Sequence, residues 1–85
     1  MQTHVIGTIY DNKAEIYFAP QLFRTSVDFI RAIQQATKDS NSMLAQHPSD
    51  YELILLGTWS ESTAEITHDK KRLGSVLDLC PLKPE

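Results

Sequence analysis

The sequence predicts a small α+β domain in which two β-hairpins flank one helix. The decapeptides "GTIYDNKAEI" (residues 7–16) and "GTWSESTAEI" (residues 57–66) begin with Gly-Thr and end with Ala-Glu-Ile. Each contains β-branched or aromatic residues on both sides of a polar middle, which is typical of a hairpin. A segment with helical periodicity lies between them. The predicted order is β-β-α-β-β in residues 1–69, with a four-stranded antiparallel sheet, and residues 70–85 form a C-terminal tail or short helix.

The first hairpin is predicted from the strand-like stretches "HVIGTIY" and "AEIYFA". A two-residue turn at residues 12–13 would place Ile9 opposite Ile16. The same register in the second copy places Trp59 beside Ile66. The glycine that opens each copy leaves room for a bulky neighbour. The repeat is therefore explained as one hairpin design used twice.

The helix signal begins at Thr25, which is predicted as the N-cap, with Asp28 completing a capping box. Apolar residues then follow at spacings of three and four, which forms a stripe on one helix face. Pro48 indicates a turn after the helix, because it restricts the preceding residue to an extended conformation. The stretch "YELILL" follows and predicts a central strand that is covered on both faces. The apolar stripe consists of Phe29, Ile30, Ile33 and Ala36.

The helix is expected to cover one face of the sheet. That inner face is predicted to contain Val5, Ile9, Ile16, Phe18, Leu53, Leu55 and Trp59. The opposite face is predicted to contain Ile6, Tyr10, Tyr17, Ile54 and Leu56. This second set is too apolar to be left in water, so the tail or a second copy must cover it. We expect a homodimer through this face, with Ile6, Ile54 and Leu56 in the interface, or through an exposed strand edge.

Composition limits the class of protein. A chain of 85 residues with a hydrophobic fraction of 41% fits one folded domain. No apolar run approaches the roughly 20 residues that cross a membrane, and the start lacks the pattern of a secretory signal. The single cysteine excludes an internal disulfide and suits a reducing cytosol. The net charge of -3 argues against a protein that coats nucleic acid through bulk charge.

Catalytic patterns are absent from the sequence. Cys80 precedes a proline in the tail and has no nearby histidine or glycine-rich turn to activate it. His4, His47 and His68 are widely separated and form no metal-ligand motif. Three glycines provide no phosphate-binding loop. We therefore expect no enzyme activity, no metal and no cofactor.

Basic and aromatic residues nevertheless form a candidate nucleic-acid site, because bases stack on aromatic rings beside cations. The basic candidates are the consecutive Lys70, Lys71 and Arg72, together with Lys13, Arg24 and Arg31. The aromatic candidates are Tyr10 and Tyr17 on the outer face of the first hairpin. The alternative reading is a solvated basic run and two tyrosines that belong to a second apolar layer or dimer contact.

Three fragments, "IYDNKAEIYFAP", "HPSDYEL" and "LGTWSESTAEI", resemble the short nonstructural protein of gokushovirus-type microviruses, which are tailless phages with circular single-stranded DNA genomes. The family pattern Tyr-x-x-Pro matches residues 17–20, and His-Pro-x-Asp-Tyr-x-Leu matches residues 47–53. The resemblance covers about residues 5–67. The chain departs from the family at residues 38–40, 59–60 and 63–64, which puts the second turn in doubt.

The resemblance implies a nonstructural role in the host cytoplasm and transfers no active site. The leading hypothesis is a non-enzymatic protein that binds phage single-stranded DNA, or acts on the replication complex, during genome synthesis and packaging. The alternative is a protein-protein adaptor for the replication initiator, the procapsid or a host factor. No membrane partner is expected.

Overall fold

The computed structural model describes residues 3–79, which form a five-stranded antiparallel sheet with helices on one face. The predicted α+β class, with two hairpins and a helix between them, is confirmed. No helix in the described part of the chain is long and apolar enough to span a membrane. The strands are β1 (Thr3–Asp11), β2 (Ile16–Tyr17), β3 (Gln21–Phe23), β4 (Tyr51–Ser60) and β5 (Ile66–Ser75). The helices are α1 (Ser26–Ala36), α2 (Met43–Gln46) and α3 (Val76–Leu79), and a 3₁₀ turn covers Pro48–Asp50.

The sheet has the order β2-β1-β4-β5, and β3 also pairs with β1. The predicted second strand, "AEIYFA" (residues 14–19), contains β2, whereas β3 lies beyond it and is the additional fifth strand. Pro20 lies in the interruption between them. Proline lacks a backbone N–H and cannot continue the hydrogen-bonded ladder, so it belongs at a sheet edge or a break.

The core lies between the sheet and α1. Phe29 of α1 is 1% exposed, and its ring centroid is 4.8 Å from that of Phe23. A Cβ at Gly7 would lie 2.9 Å from three atoms of the Phe29 ring, so the expected packing of a bulky side chain over this glycine is confirmed. We call the sheet face toward α1 the inner face and the opposite face the outer face. The buried cluster consists of Ile9, Phe29, Tyr51, Leu53 and Val76.

The start of α1 confirms the predicted N-cap at Thr25, while the return hydrogen bond of the Asp28 side chain stays a prediction. The Thr25 hydroxyl accepts a hydrogen bond from the backbone N–H of Asp28 at 3.1 Å, which satisfies one of the free donors of the first turn. Thr25 itself has an extended backbone, as an N-cap residue does. The apolar stripe then directs Phe29 into the core, with Ile30 and Ile33 packed against it.

The first hairpin differs from the predicted register. Asp11 pairs with Ile16, so the connecting loop spans residues 12–15 and the predicted turn at residues 12–13 is wrong. The Asp11 carboxylate accepts a hydrogen bond from the backbone N–H of Lys13 at 2.9 Å, and Glu15 closes the loop with a φ of 59°. The register shifts by an even number of residues, which leaves each side chain on its predicted face.

The second hairpin has the predicted register, because Trp59 pairs with Ile66. The residue with positive φ in its loop is Ala64, at 63°. In the first hairpin it is Glu15, although Ala64 corresponds to Ala14 in the repeated decapeptide. The matching ends of the two decapeptides therefore do not fold into identical turns.

A β-bulge at Leu56 changes which face the end of β4 presents. Leu55 and Gly57 pair with consecutive residues of β1, so Leu56 is the extra residue. Gly57 has a φ of 149°, and a Cβ there would lie 1.9 Å from a backbone oxygen of β5, so only glycine fits. Beyond the bulge, Trp59 pairs with His4 on the outer face. The predicted inner-face position of Trp59, and of its partner Ile66, is wrong.

The segment predicted to be a tail is largely part of the domain. The boundary at residue 70 falls inside β5, so Lys70, Lys71 and Arg72 are strand residues. Val76 of α3 has no exposed surface and belongs to the core cluster. Residues 80–85, which include Cys80 and Leu82, lie outside the described residues.

Candidate nucleic-acid interface

Two tyrosines form an aromatic pair on the outer face. Tyr10 of β1 and Tyr17 of β2 are direct partners in the sheet, and their ring centroids are 4.6 Å apart with an interplanar angle of 46°. Tyr17 is 45% exposed. The rings are therefore positioned by strand pairing and remain open to a ligand that stacks on aromatic surfaces.

Lys70 joins this pair from the far edge of the sheet. Its ammonium donates a hydrogen bond to the Tyr17 hydroxyl, and Nζ lies 4.8 Å from the centre of the ring. Lys70 is on β5 and Tyr17 is on β2, so the two side chains reach each other across β4 and β1. The contact places a cation at the hydroxyl end of the tyrosine pair.

The outer face of the sheet also contains a buried apolar residue. Ile54 is only 4% exposed although no helix covers the outer face in the described structure. It lies between Thr8 of β1 and Arg72 of β5 in the sheet. Long side chains from β5, such as Arg72 beside it and Lys70 crossing the sheet to Tyr17, are able to cover such a residue with their apolar stems.

Arg72 is a second cation on this face, and it forms an ion pair with the carboxylate of Glu52. Its Nε donates to Oε1 of Glu52 at 2.8 Å, and the side-chain amide of Asn12 donates to Oε2 of Glu52 at 3.0 Å. These hydrogen bonds, first that of Arg72 and then that of Asn12, lower the pKa of Glu52 below its usual value. The Arg72 charge is consequently balanced as long as Glu52 is ionised.

The remaining predicted basic residues do not join the tyrosine cluster. Lys71 pairs with Leu55 of the inner face, and its Nζ is 3.5 Å from the Asp69 carboxylate. Arg24 precedes α1 and Arg31 is an exposed residue of that helix, on the other side of the sheet. Lys13 is exposed in the loop between β1 and β2. Of the eight predicted binding residues, the structure brings together Tyr10, Tyr17, Lys70 and Arg72.

Trp59 and His4 form a second aromatic pair that the sequence interpretation missed. Their ring centroids are 5.4 Å apart with an interplanar angle of 41°, and the His4 ring is also 2.8 Å from the Glu61 carboxylate. Strand alternation alone places Trp59 in the core. The signal for its true position is Gly57, because a glycine inside a predicted central strand often marks a bulge.

An apolar groove of about 600 Å³ opens on the other side of the molecule, between the edge of the sheet and helices α1 and α2. Phe18 and Ile16 at its rim are 39% and 55% exposed. Its lining is mainly apolar and includes Ile9, Phe18, Phe23, Phe29, Ile33 and Leu44. A groove with this character fits an apolar side chain of a partner better than a charged ligand.

The residues predicted for the dimer interface differ in how much of their surface is exposed to a partner. Ile54 is buried within the single chain, whereas Ile6 and Leu56 are half-buried. Both sheet edges contain features that discourage strand addition, namely Pro20 at one edge and the cationic, bulged β5 at the other. The outer face therefore remains the more suitable surface for the predicted homodimer. Leu22, the 49% exposed partner of Ile6, extends its apolar part.

Within residues 3–79, no group of three or more His, Cys, Asp or Glu side chains is arranged to hold a metal ion.

A family model described as "Phage ORF5 protein" matches residues 4–79. No curated protein and no solved structure matches the chain significantly. The match covers nearly all of the described residues, so this chain belongs to the phage ORF5 protein family.

Proposed function

We propose that this phage ORF5 protein is a non-enzymatic, single-stranded DNA-binding protein that uses the outer face of its sheet. We place its action in the cytoplasm of a host cell infected by a gokushovirus-type microvirus, during synthesis and packaging of the single-stranded genome. The sequence resemblance supports this setting. The arrangement of Tyr10, Tyr17 and Lys70 supports the mode of binding.

The observation that carries the proposal is the tyrosine pair, in which Tyr17 is exposed and Tyr10 half-buried, with an ammonium at the Tyr17 hydroxyl. Stacking of one base on an aromatic side chain contributes about 1–3 kcal/mol. The adjacent cation neutralises a phosphate. An exposed contact between a cation and a ring contributes only about 0.5–1 kcal/mol, so a nucleotide can displace it at small cost.

A single strand fits this face better than a duplex. Rings that lie on a sheet can stack only on bases that are not already stacked inside a double helix. The net charge of -3 provides no long-range attraction to a duplex. Binding is therefore expected to be of modest affinity and sensitive to salt.

The test compares Lys70→Ala with Lys71→Ala, two neighbouring lysines that lie on opposite faces of the sheet. Fluorescence anisotropy of a labelled oligothymidine is measured over a series of salt concentrations. Lys70→Ala should lower the affinity and reduce the salt slope by about 0.7, the value for one phosphate on a single strand. Lys71→Ala should behave like the wild type. Equal effects of both variants, or no binding by the wild type at low salt, would contradict the proposal.

The apolar groove favours a second candidate function, that of a protein-protein adaptor for the replication initiator, the procapsid or a host factor. Phe18 at the groove rim offers an exposed aromatic contact. Binding of purified replication and capsid proteins to Phe18→Lys is compared with binding to Leu77→Lys, a control at an exposed position of α3. Selective loss with Phe18→Lys supports the adaptor function, and equal binding by both variants excludes the groove.

A further inference from the structure

We infer that the bound single strand extends along β1 from the tyrosine pair to a second stacking platform formed by Trp59 and His4. This inference rests on the proposed function, since it assigns further residues and a length to the same binding face. Its starting point is the position of Trp59, which the bulge at Leu56 moves from the core side of the sheet to the outer face.

β1 connects the two platforms on one face. His4 and Tyr10 are both outer-face residues of this strand, because Val5 and Gly7 are partners of inner-face residues and side chains alternate. Phe23, the partner of Val5, packs against Phe29 of α1, which confirms the assignment of faces. At about 3.3 Å for each strand residue, the platforms are about 20 Å apart.

Apart from the Lys70 side chain, which crosses β4 and β1 to reach Tyr17, the outer faces of β1 and β4 between the platforms are uncharged. Gly57 has no side chain, and Ile6 is half-buried beside it in the sheet. His68, the partner of Gly57 on β5, supplies an exposed imidazole along the same path. No carboxylate of the described residues lies between Glu52 at one end and Glu61 at the other on the outer faces of β1 and β4.

The Trp59 platform also has the properties of a binding surface and not only of packing. Its ring is partly exposed, and its sheet partner Ile66 is 69% exposed. The hydrogen bond that the His4 imidazole donates to the Glu61 carboxylate holds the imidazole against the tryptophan. A large apolar ring held in place before binding loses little side-chain entropy when a base stacks on it.

A distance of about 20 Å corresponds to about six nucleotides at the 3.4 Å spacing of stacked bases. A stretched DNA strand would span the same distance with fewer nucleotides. We therefore expect affinity to rise steeply with oligothymidine length up to about six nucleotides and only slowly afterwards. A site limited to the tyrosine pair would reach its full affinity at two or three nucleotides.

Trp59 is the single tryptophan of the chain, so its intrinsic fluorescence reports directly on the second platform. Oligothymidines of three to twelve nucleotides are titrated, with tryptophan fluorescence and the anisotropy of a labelled strand followed in parallel. Quenching that follows the anisotropy curve is the expected result. A protein concentration series without DNA is the control, because a second copy seated on this face would also change the tryptophan emission.

Two variants separate stacking from packing. Trp59→Leu keeps an apolar side chain but removes the ring, and Trp59→Phe keeps a ring. Trp59→Leu should bind long oligothymidines at least about tenfold more weakly, whereas Trp59→Phe should stay within about threefold of the wild type. Circular dichroism and thermal unfolding establish that both variants are folded. If Trp59→Leu is unfolded, the wild-type quenching and length series still decide the question.

These measurements distinguish failure of the second platform from failure of the proposed DNA-binding function. Normal DNA binding without tryptophan quenching, together with wild-type affinity of Trp59→Leu, would overturn the second platform and leave the proposed function intact. Concentration-dependent emission without DNA would also overturn it in favour of a second copy on this face. Absence of any binding by the wild type at low salt would overturn both the platform and the proposed function.

Discussion

Arg72 on β5 donates a hydrogen bond to Glu52 on β4, with 2.8 Å between Nε and Oε1, next to the pair of tyrosines on the outer face. Two cations therefore approach the aromatic pair, but only Lys70 is directed to it, through the Tyr17 hydroxyl. The carboxylate of Glu52 would lie near any phosphate that Arg72 could reach. It opposes DNA binding by occupying one cation and by adding one negative charge.

Removal of this carboxylate should strengthen DNA binding. In Glu52→Gln, Arg72 becomes available to a phosphate, so affinity for single-stranded DNA should rise and the salt slope should increase by about 0.7. Salt-dependent anisotropy titrations measure both quantities. Asp28→Asn on α1 is the matched control, because it removes the same charge on the other side of the sheet. An equal gain in both variants would show a bulk charge effect and contradict the local explanation.

The same ion pair predicts a dependence of stability on pH. Because Arg72 and Asn12 lower the pKa of Glu52 in the folded state, its ionised form stabilises the protein at pH values above the ordinary value of 4.5. This contribution is lost as the pH falls through the lowered pKa. The difference in free energy of unfolding between wild type and Glu52→Gln should therefore be larger at pH 7 than at pH 3. Denaturant unfolding at both pH values measures it, and an unchanged difference would contradict the assignment.

Gly7→Ala should destabilise the fold. The added Cβ would lie 2.9 Å from three ring atoms of Phe29, and that ring is buried and cannot move freely. Overpacking of this kind costs about 1–3 kcal/mol. For a domain of this size, each kcal/mol lowers the melting temperature by about 4–8 °C. In Phe29→Leu the same alanine should cost less, because the smaller side chain leaves room. An equal cost in both backgrounds would argue against this contact.

The homodimer remains a prediction, and a dimer through the outer face would compete with DNA, because Ile6 also lies between the two aromatic platforms. The structure offers a more specific variant for testing it. Leu22 is 49% exposed beside Ile6 on the outer face, so Leu22→Lys should weaken a dimer formed there without damaging the core. Val27→Lys, at a 54% exposed position of α1, is the control. Light scattering over a concentration series measures the mass. A wild-type protein that stays monomeric at high micromolar concentration would refute the dimer.

Local chemistry in the sequence was sufficient to predict the two hairpins and helix α1, but not β3, α2 or the full length of β5. Thr25 and Asp28 marked the helix start because capping involves residues a few positions apart. The packing of a bulky ring over Gly7 followed from its missing side chain. The register of the first hairpin differs from the predicted one by an even number of residues. Tyr10 and Tyr17 therefore lie on the predicted face of the sheet.

Only the tertiary structure decided which residues form the candidate site. The bulge at Leu56 reverses the alternation that strand periodicity assumes, and this single extra residue moves Trp59 from the expected core to the outer face. Lys70 and Tyr17 meet across two intervening strands, because the order of strands in the sheet brings distant segments together. The sequence by itself determined the two hairpins, helix α1 and the apolar faces of β1 and of β4 as far as the bulge, through short-range chemistry. The register and twist of the whole sheet determined which basic residues reach the aromatic rings, because those contacts depend on strands far apart in the chain.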